Sequence, residues 1–145
     1  MTPAGPAPAA PTPRTLPLLE PETAFFWTAG AQGHLLIQCC TVCARFQHPP
    51  LPLCPACRSE AMAPRAVSGK GAVKAFTINH QPWLQGMDVP FAFAAIELDE
   101  QPGLYVMSNV LGPLAAIEVG MRVEVVFEPV DDIWLPLFRQ EGAGA

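Results

Sequence analysis

Two C-x-x-C pairs, five β-like runs in the second half of the chain and 18 prolines predict a mainly β protein. The expected architecture is a short N-terminal helix, a small metal-built ribbon and then a five-stranded OB-fold barrel. Proline lacks a backbone donor, so 18 of them in 145 residues exclude an all-helical bundle. Half the residues are apolar and 14% are charged, which allows a buried core and excludes wholesale disorder.

Residues 1–17 are rich in proline and alanine. Pro3, Pro6, Pro8, Pro11, Pro13 and Pro17 favour extended, solvated backbone, so a disordered tail is expected there. A short helix is expected from Pro21 to Gly30. Pro21 suits a first turn, Glu22 suits the positive helix end, and Gly30 is a stop signal. Phe25, Phe26 and Trp27 are adjacent, and one helix face cannot bury all three, which makes them candidates for contact with a partner. HLLIQCC (34–40) is a short strand entering the cysteine cluster. Helix and ribbon together are expected over 18–65, the barrel over 66–140 and a flexible C-terminus over 141–145.

The five β-like runs are AVSGKGAVKAFTINH, PFAFAAIELDE, GLYVMSNVLG, MRVEVVFEPV and DIWLPLF, divided by Gly, Pro, Asp and Asn turn signals. The clearest alternation sets Val123, Val125 and Phe127 against Arg122, Glu124, Val126 and Glu128. Between the third and fourth runs, PLAAIEVG (113–120) has room for one helical turn. Five strands with a brief helix between the third and fourth is the element order of an OB-fold barrel. Gly69-Lys70-Gly71 precedes a strand rather than a helix, so it is a barrel bend or bulge rather than a phosphate loop.

Cys40, Cys43, Cys54 and Cys57 form two C-x-x-C knuckles separated by ten residues. Each turn aims two thiolates at one ion, and two such turns complete a tetrahedral S₄ site. Zn²⁺ is the expected ion, with rubredoxin-type iron as the alternative. A closed S₄ site has no open position, so one structural metal per chain is expected, holding a segment too small to fold on its own core. Thioredoxin-like redox chemistry needs a C-x-x-C at a helix N-terminus, a context neither pair has. Cys39 points to the opposite face of the strand and is expected to be a spectator. His48, between the pairs, is a surface or capping histidine in preference to a replacement ligand.

No nucleophile elbow, Walker A, dinucleotide fingerprint or H-E-x-x-H pattern is present, and no catalytic residue is assigned. His80 is a conceivable base without an orienting partner nearby in sequence, and Asp99-Glu100 and Asp131-Asp132 have the look of acidic turns. In INHQPWLQGMDVPFAFA (78–94), Trp83, Leu84 and Met87 are expected in a long hairpin loop, where an acyl chain, a protein surface or core packing would account for them.

Charge is unevenly spread. Residues 1–65 hold four arginines against three glutamates, whereas residues 66–145 hold four bases against ten acids. The acidic barrel repels phosphate backbones, and Arg45, Arg58 and Arg65 are too few for an unaided nonspecific grip on nucleic acid. They suffice for the phosphates of one nucleotide-like cofactor. No apolar run approaches a membrane span, no signal peptide is evident, and a reducing cytoplasmic setting is expected.

FFWTAGAQGHLLIQCCTVC (25–43), PPLPLCPAC (49–57), VSGKGAVKAFTI (67–78), FAFAAIELDE (91–100), GLYVMSNVLG (103–112), VGMRVEVVFE (119–128) and LPLFR (135–139) together resemble the DUF35 family over about residues 20–140. That resemblance implies an N-terminal helix, a rubredoxin-like zinc ribbon and an acyl-CoA-associated OB-fold, with the family's metal ligands on Cys40, Cys43, Cys54 and Cys57. It also implies a noncatalytic accessory subunit of a thiolase-like enzyme, of the lipid-transfer-protein-like, aldolase or acyl-CoA condensing kind. On this reading Arg45 and Arg58 meet CoA phosphates, and Phe25, Phe26 and Trp27 meet the partner. The alternatives are a single-stranded nucleic-acid or nucleotide binding module, and a free-standing acyl-CoA enzyme with His80 as base.

Overall fold

In the computed structural model, which describes residues 14–143, a three-stranded ribbon sheet sits on a closed five-stranded barrel. The expectation of a disordered tail over 1–17 falls mainly on residues 1–13, outside the described residues. Its end, residues 14–17, lies against the barrel: Arg14 donates to Asn109, and Leu16 packs on Ile133, Leu135 and Leu137.

The N-terminal helix α1 spans Ala24–Thr28 and passes into a tight turn, Ala29–Gln32. It is shorter than the 21–30 expected. The Glu20 carbonyl accepts from both the Thr23 and Ala24 amides, so residues 20–23 make a separate turn. The segment ends at Gly33, not Gly30, because Gly33 takes the left-handed φ of 78° that closes the turn. Gly30 serves close approach: a Cβ there would lie 2.6 Å from the Phe127 ring and the Trp134 Cβ.

The ribbon sheet has the order β2–β1–β3, all antiparallel, from β1 (Leu35–Cys40), β2 (Phe46–Gln47) and β3 (Met62–Val67). β1 is the expected 34–40 strand. β3 had no signal in the sequence, because Met-Ala-Pro-Arg-Ala-Val lacks alternation and its middle is exposed. It forms as an edge strand, where proline is tolerated. It runs through the expected 65/66 boundary, and the crossover to the barrel falls at Ser68-Gly69, with Gly69 at φ 75°.

All five predicted runs are barrel strands: β4 (Lys70–Asn79), β5 (Phe91–Leu98), β6 (Tyr105–Leu111), β7 (Arg122–Val130) and β8 (Ile133–Gln140). Their closed order is β4–β5–β6–β8–β7, with β7 returning to β4. The single helical turn expected in 113–120 is Leu114–Ala116. Gly71 is neither the bend nor the bulge expected but an ordinary position of β4, small because the Glu97 backbone lies against it; the β4–β5 register shift lies further on, between Val73 and Ala75.

One apolar cluster runs through both parts. Phe26 of α1 and Leu35 and Ile37 of β1 share it with Val73, Ile96, Val106, Val123 and Phe138 of the barrel. Two side-chain amides clip the backbone where no strand is available. Gln101 accepts from the Phe46 amide at 2.9 Å and donates to the Phe46 carbonyl at 3.0 Å, tying the ribbon edge to the β5–β6 turn. Gln38 does the same for Leu51, at 2.8 and 2.9 Å. Glu100 adds two bonds to Ser68, at 3.0 and 3.2 Å.

His48 lies over Phe26, ring centroids 4.7 Å apart, with Nδ1 buried and without a partner. Burial holds its pKa down, to about 4 from an ordinary 6.5.

Two outcomes are expected. Gly30→Ala forces a methyl against Phe127 and Trp134 and lowers stability by about 1–3 kcal/mol, measured by denaturant unfolding. For His48, the unfolded chain takes up a proton near pH 6.5 that the folded chain refuses until about pH 4. Its contribution is therefore complete above pH 6.5 and falls by about 3 kcal/mol as pH drops to about 4. His48→Phe should lose less stability over that window than the unsubstituted protein.

Candidate metal centre

The two knuckles are built alike. In the first, the Cys40 amide donates to the Arg45 carbonyl and the Ala44 amide returns to the Cys40 carbonyl, both at 2.9 Å. In the second, Cys54 donates to Ser59 and Arg58 returns to Cys54, again at 2.9 Å. Ala44 and Arg58 occupy the same place in each turn, with left-handed φ values of 63° and 64°. That conformation is costly for residues with a Cβ, so something must hold both turns shut.

The four Sγ atoms lie within 4.8 Å of one another. Cys40–Cys57 and Cys43–Cys54 Sγ atoms are each 3.5 Å apart. A tetrahedron with metal–sulfur bonds of ~2.3 Å has sulfur–sulfur edges of ~3.8 Å, so this cluster is a donor set for one metal ion. Cys40 and Cys54 are buried, while Cys43 and Cys57 face outward. The backbone N–H of Cys43 holds the Cys40 thiol below its ordinary pKa, and the N–H of Cys57 holds Cys54 down to about 6. The Arg45 N–H pulls Cys43 the same way, but the proton shared with Cys54 and burial outweigh it, raising Cys43 to about 12. Cys57 is raised similarly against the pull of the Ser59 N–H. Backbone N–H groups thus favour the thiolate forms of Cys40 and Cys54 over those of Cys43 and Cys57.

Cys39 lies on the opposite face of β1 from Cys40, buried with Leu35 and Ile37, and is part of the packing rather than the cluster. His48 is neither a surface residue nor a cap, as the stacking over Phe26 shows. Arg45 and Arg58 are exposed, two residues after Cys43 and one after Cys57 in the chain. The aromatic triplet does not stand clear of the chain: Phe26 is buried, and Phe25 and Trp27 are half-buried against the core. All three find places because α1 lies between β1 and β8, which offers them more than one surface.

Asp99 takes both ends of the Arg122 guanidinium, and Glu100 holds Ser68. Asp131 and Asp132 form the β7–β8 turn, and His80 is exposed just beyond β4. The four barrel cations are all ion-paired: Lys70 with Glu141, Lys74 with Glu97, Arg122 with Asp99 and Glu141, and Arg139 with Glu124. No basic groove for a nucleic-acid strand is formed among the described residues. Also among them, no helix is long and apolar enough to cross a membrane.

Residues 27–63 match the ChsH2 rubredoxin-like zinc ribbon domain, and residues 64–128 match the ChsH2 C-terminal OB-fold domain. A chain of the solved Ltp2-ChsH2(DUF35) aldolase superposes with a TM-score of 0.77 at 32% identity, over 86% of this chain and 98% of that one. The chain belongs to the DUF35 family. A second DUF35 protein, of unknown function, from Sulfolobus solfataricus, has the same fold at TM-score 0.59 and 17% identity, over 83% of this chain and 86% of that one. Among curated proteins, a probable enoyl-CoA hydratase alpha subunit of Thermomonospora curvata is 34% identical over 87% of this chain. The 3-oxo-4,17-pregnadiene-20-carboxyl-CoA hydratase alpha subunit of Mycobacterium tuberculosis is 32% identical over 73% of it. This DUF35 chain spans 40% and 33% of the lengths of those two relatives.

The knuckle spacing made the ligands legible. The left-handed Ala44 and Arg58 and the clips from Gln38 and Gln101 had no signal in the sequence, since an ordinary residue type fills each of these places.

Cys40→Ser and Cys57→Ser should each lose the metal and unfold the ribbon. Cys39→Ala should keep one metal per chain by elemental analysis. Retention of metal by both ligand variants would refute the assignment.

Proposed function

We propose that this protein is a noncatalytic accessory subunit of a thiolase-like enzyme that acts on a CoA thioester, with a structural Zn²⁺ in the Cys₄ site. The observation that carries this reading is the likeness to the Ltp2-ChsH2(DUF35) aldolase, at 32% identity over 98% of that chain. The names of the two curated relatives, both CoA-thioester hydratase subunits, point to the same substrate class.

In this reading the subunit works by shape. The ribbon presents three exposed apolar side chains: Val42 on the first knuckle, with Leu51 and Leu53 on the loop between the knuckles. Gln38 pins the backbone of Leu51, so this surface is set before a partner arrives. The exposed edges of Phe25 and Trp27 extend the docking face, in a smaller part than three free aromatics would have had. Arg45 and Arg58, exposed on the ribbon, are its groups for CoA phosphates. The barrel helps shape or cover the path of the thioester. A reducing, cytoplasmic setting keeps the four cysteines available to the metal.

A mild affinity capture of the tagged protein from its own cells should recover a stoichiometric thiolase-like enzyme. Val42→Glu with Leu53→Glu should reduce that recovery while leaving metal content and thermal unfolding unchanged, because both side chains are exposed. Recovery of the chain without any thiolase-like enzyme would refute the accessory role. Undiminished recovery with the double variant would refute the docking face.

A further inference from the structure

The two faces of β8 have different neighbours. Phe138 joins the barrel cluster. Ile133, Leu135 and Leu137 alternate with it and face outward, beside Val126 and Val130 of β7, yet they are only 4%, 9% and 4% exposed. Outward apolar side chains on β5 and β6 have no such cover: Phe93 is 42% exposed and Met107 55%. The difference is made by two pieces that pack on the β8 face, Trp27 of α1 and Leu16 of the segment 14–17.

That segment lies as a strap across the barrel. Arg14 and Leu16 are partly buried and Thr15 between them is exposed, the alternation of an extended chain. The barrel supplies a seat for Arg14. Asn109 donates its amide to the Ala92 carbonyl at 3.0 Å, which leaves Oδ1 to accept from the guanidinium at 3.0 Å. Glu128 adds an opposite charge at 3.5 Å. Two residues on, Leu16 meets Ile133, Leu135 and Leu137. An arginine followed after one residue by a leucine is thus read by an amide oxygen, a carboxylate and an apolar face.

The hold is light. Among the described residues, no backbone–backbone hydrogen bond joins 14–17 to a strand, and Pro17 has no amide to give. The Arg14 Nε is buried without an acceptor, which subtracts from the fit. Leu18 and Leu19, next in the chain, are 79% and 41% exposed and add little to it. A segment held by two side chains opens at a far lower free energy than the barrel beneath it.

We propose that the outer face of β8, with Asn109 and Glu128 at its edge, is a binding site for an extended Arg-x-Leu-Pro segment, filled by the chain's own residues 14–17 and exchangeable for a like segment of another protein. The strap is then a displaceable ligand, and the face beneath it opens only when it leaves. The inference goes beyond the accessory reading and does not require it.

The probe is a fluorescein-labelled peptide of residues 13–20, PRTLPLLE, titrated by anisotropy against the full metal-loaded chain and its variants. Arg14→Ser with Leu16→Ser empties the site, and the peptide should bind this double variant one per chain. The unsubstituted chain, whose own strap competes, should bind it more weakly by about tenfold or more. In the double variant, adding Asn109→Ala or Glu128→Gln should weaken the peptide by about threefold or more each. A peptide carrying Arg14→Ser and Leu16→Ser should not bind. Absence of binding to the double variant, equal affinity for it and for the unsubstituted chain, or affinity untouched by both Asn109→Ala and Glu128→Gln overturns the proposal. Loss of the metal or of the thermal transition in the double variant also overturns it, because the strap would then be part of the fold rather than a displaceable ligand. No partner enzyme enters this titration, so failure of the site and failure of the accessory role are read separately.

Discussion

Everything in this molecule depends on the two faces of one strand. Along β1, Leu35, Ile37 and Cys39 turn to the buried side, and Leu35 and Ile37 enter the cluster that fills the barrel. Gln38 and Cys40, on the alternate positions, pin the knuckle loop and begin the metal cluster. A period of two residues thus joins a metal-built ribbon to a hydrophobic barrel without a hinge. Replacing a core leucine or isoleucine by alanine typically costs about 2–5 kcal/mol. The same substitution at Leu35 or Ile37 would reach the ribbon and the barrel at once.

The ribbon has little core of its own, so it is held from both ends. At one end a metal would satisfy four crowded thiols and close two turns that are strained at Ala44 and Arg58. At the other, Gln101 and Glu100 reach from the barrel to backbone at Phe46 and to Ser68. These bonds replace strand pairings that a two-residue β2 is too short to make. The exposed side chains at Val42, Leu51 and Leu53 are therefore presented on a fixed frame, which limits the ordering cost of docking.

Charge and apolar surface are divided between the faces of the barrel. The cations of β4, β7 and β8 are taken up by neighbouring acids around the strand ends, which leaves no positive channel. The apolar excess is on the opposite account, outside β5 and β6 and along the β4–β5 loop. A single-strand binder would have these features reversed, with free cations beside the aromatics.

The sequence by itself determined the four-cysteine cluster, the five barrel strands and the single helical turn between the third and fourth. Those features are local: a C-x-x-C turn, an alternating run or a proline break carries its own geometry wherever it is placed. Only the tertiary structure decided the rest. β3 is a strand because β1 offers it an edge, and Met62–Val67 alone carries no such pattern. Phe25, Phe26 and Trp27 have places because α1 lies between β1 and β8, and Gly30 is small because Phe127 and Trp134 stand against it. Phe93, Met107 and Leu111 line one groove only because the barrel closes and the loop and residues 14–17 wall them in. Contacts between residues far apart in the chain depend on which surfaces meet, and local spacing does not encode that.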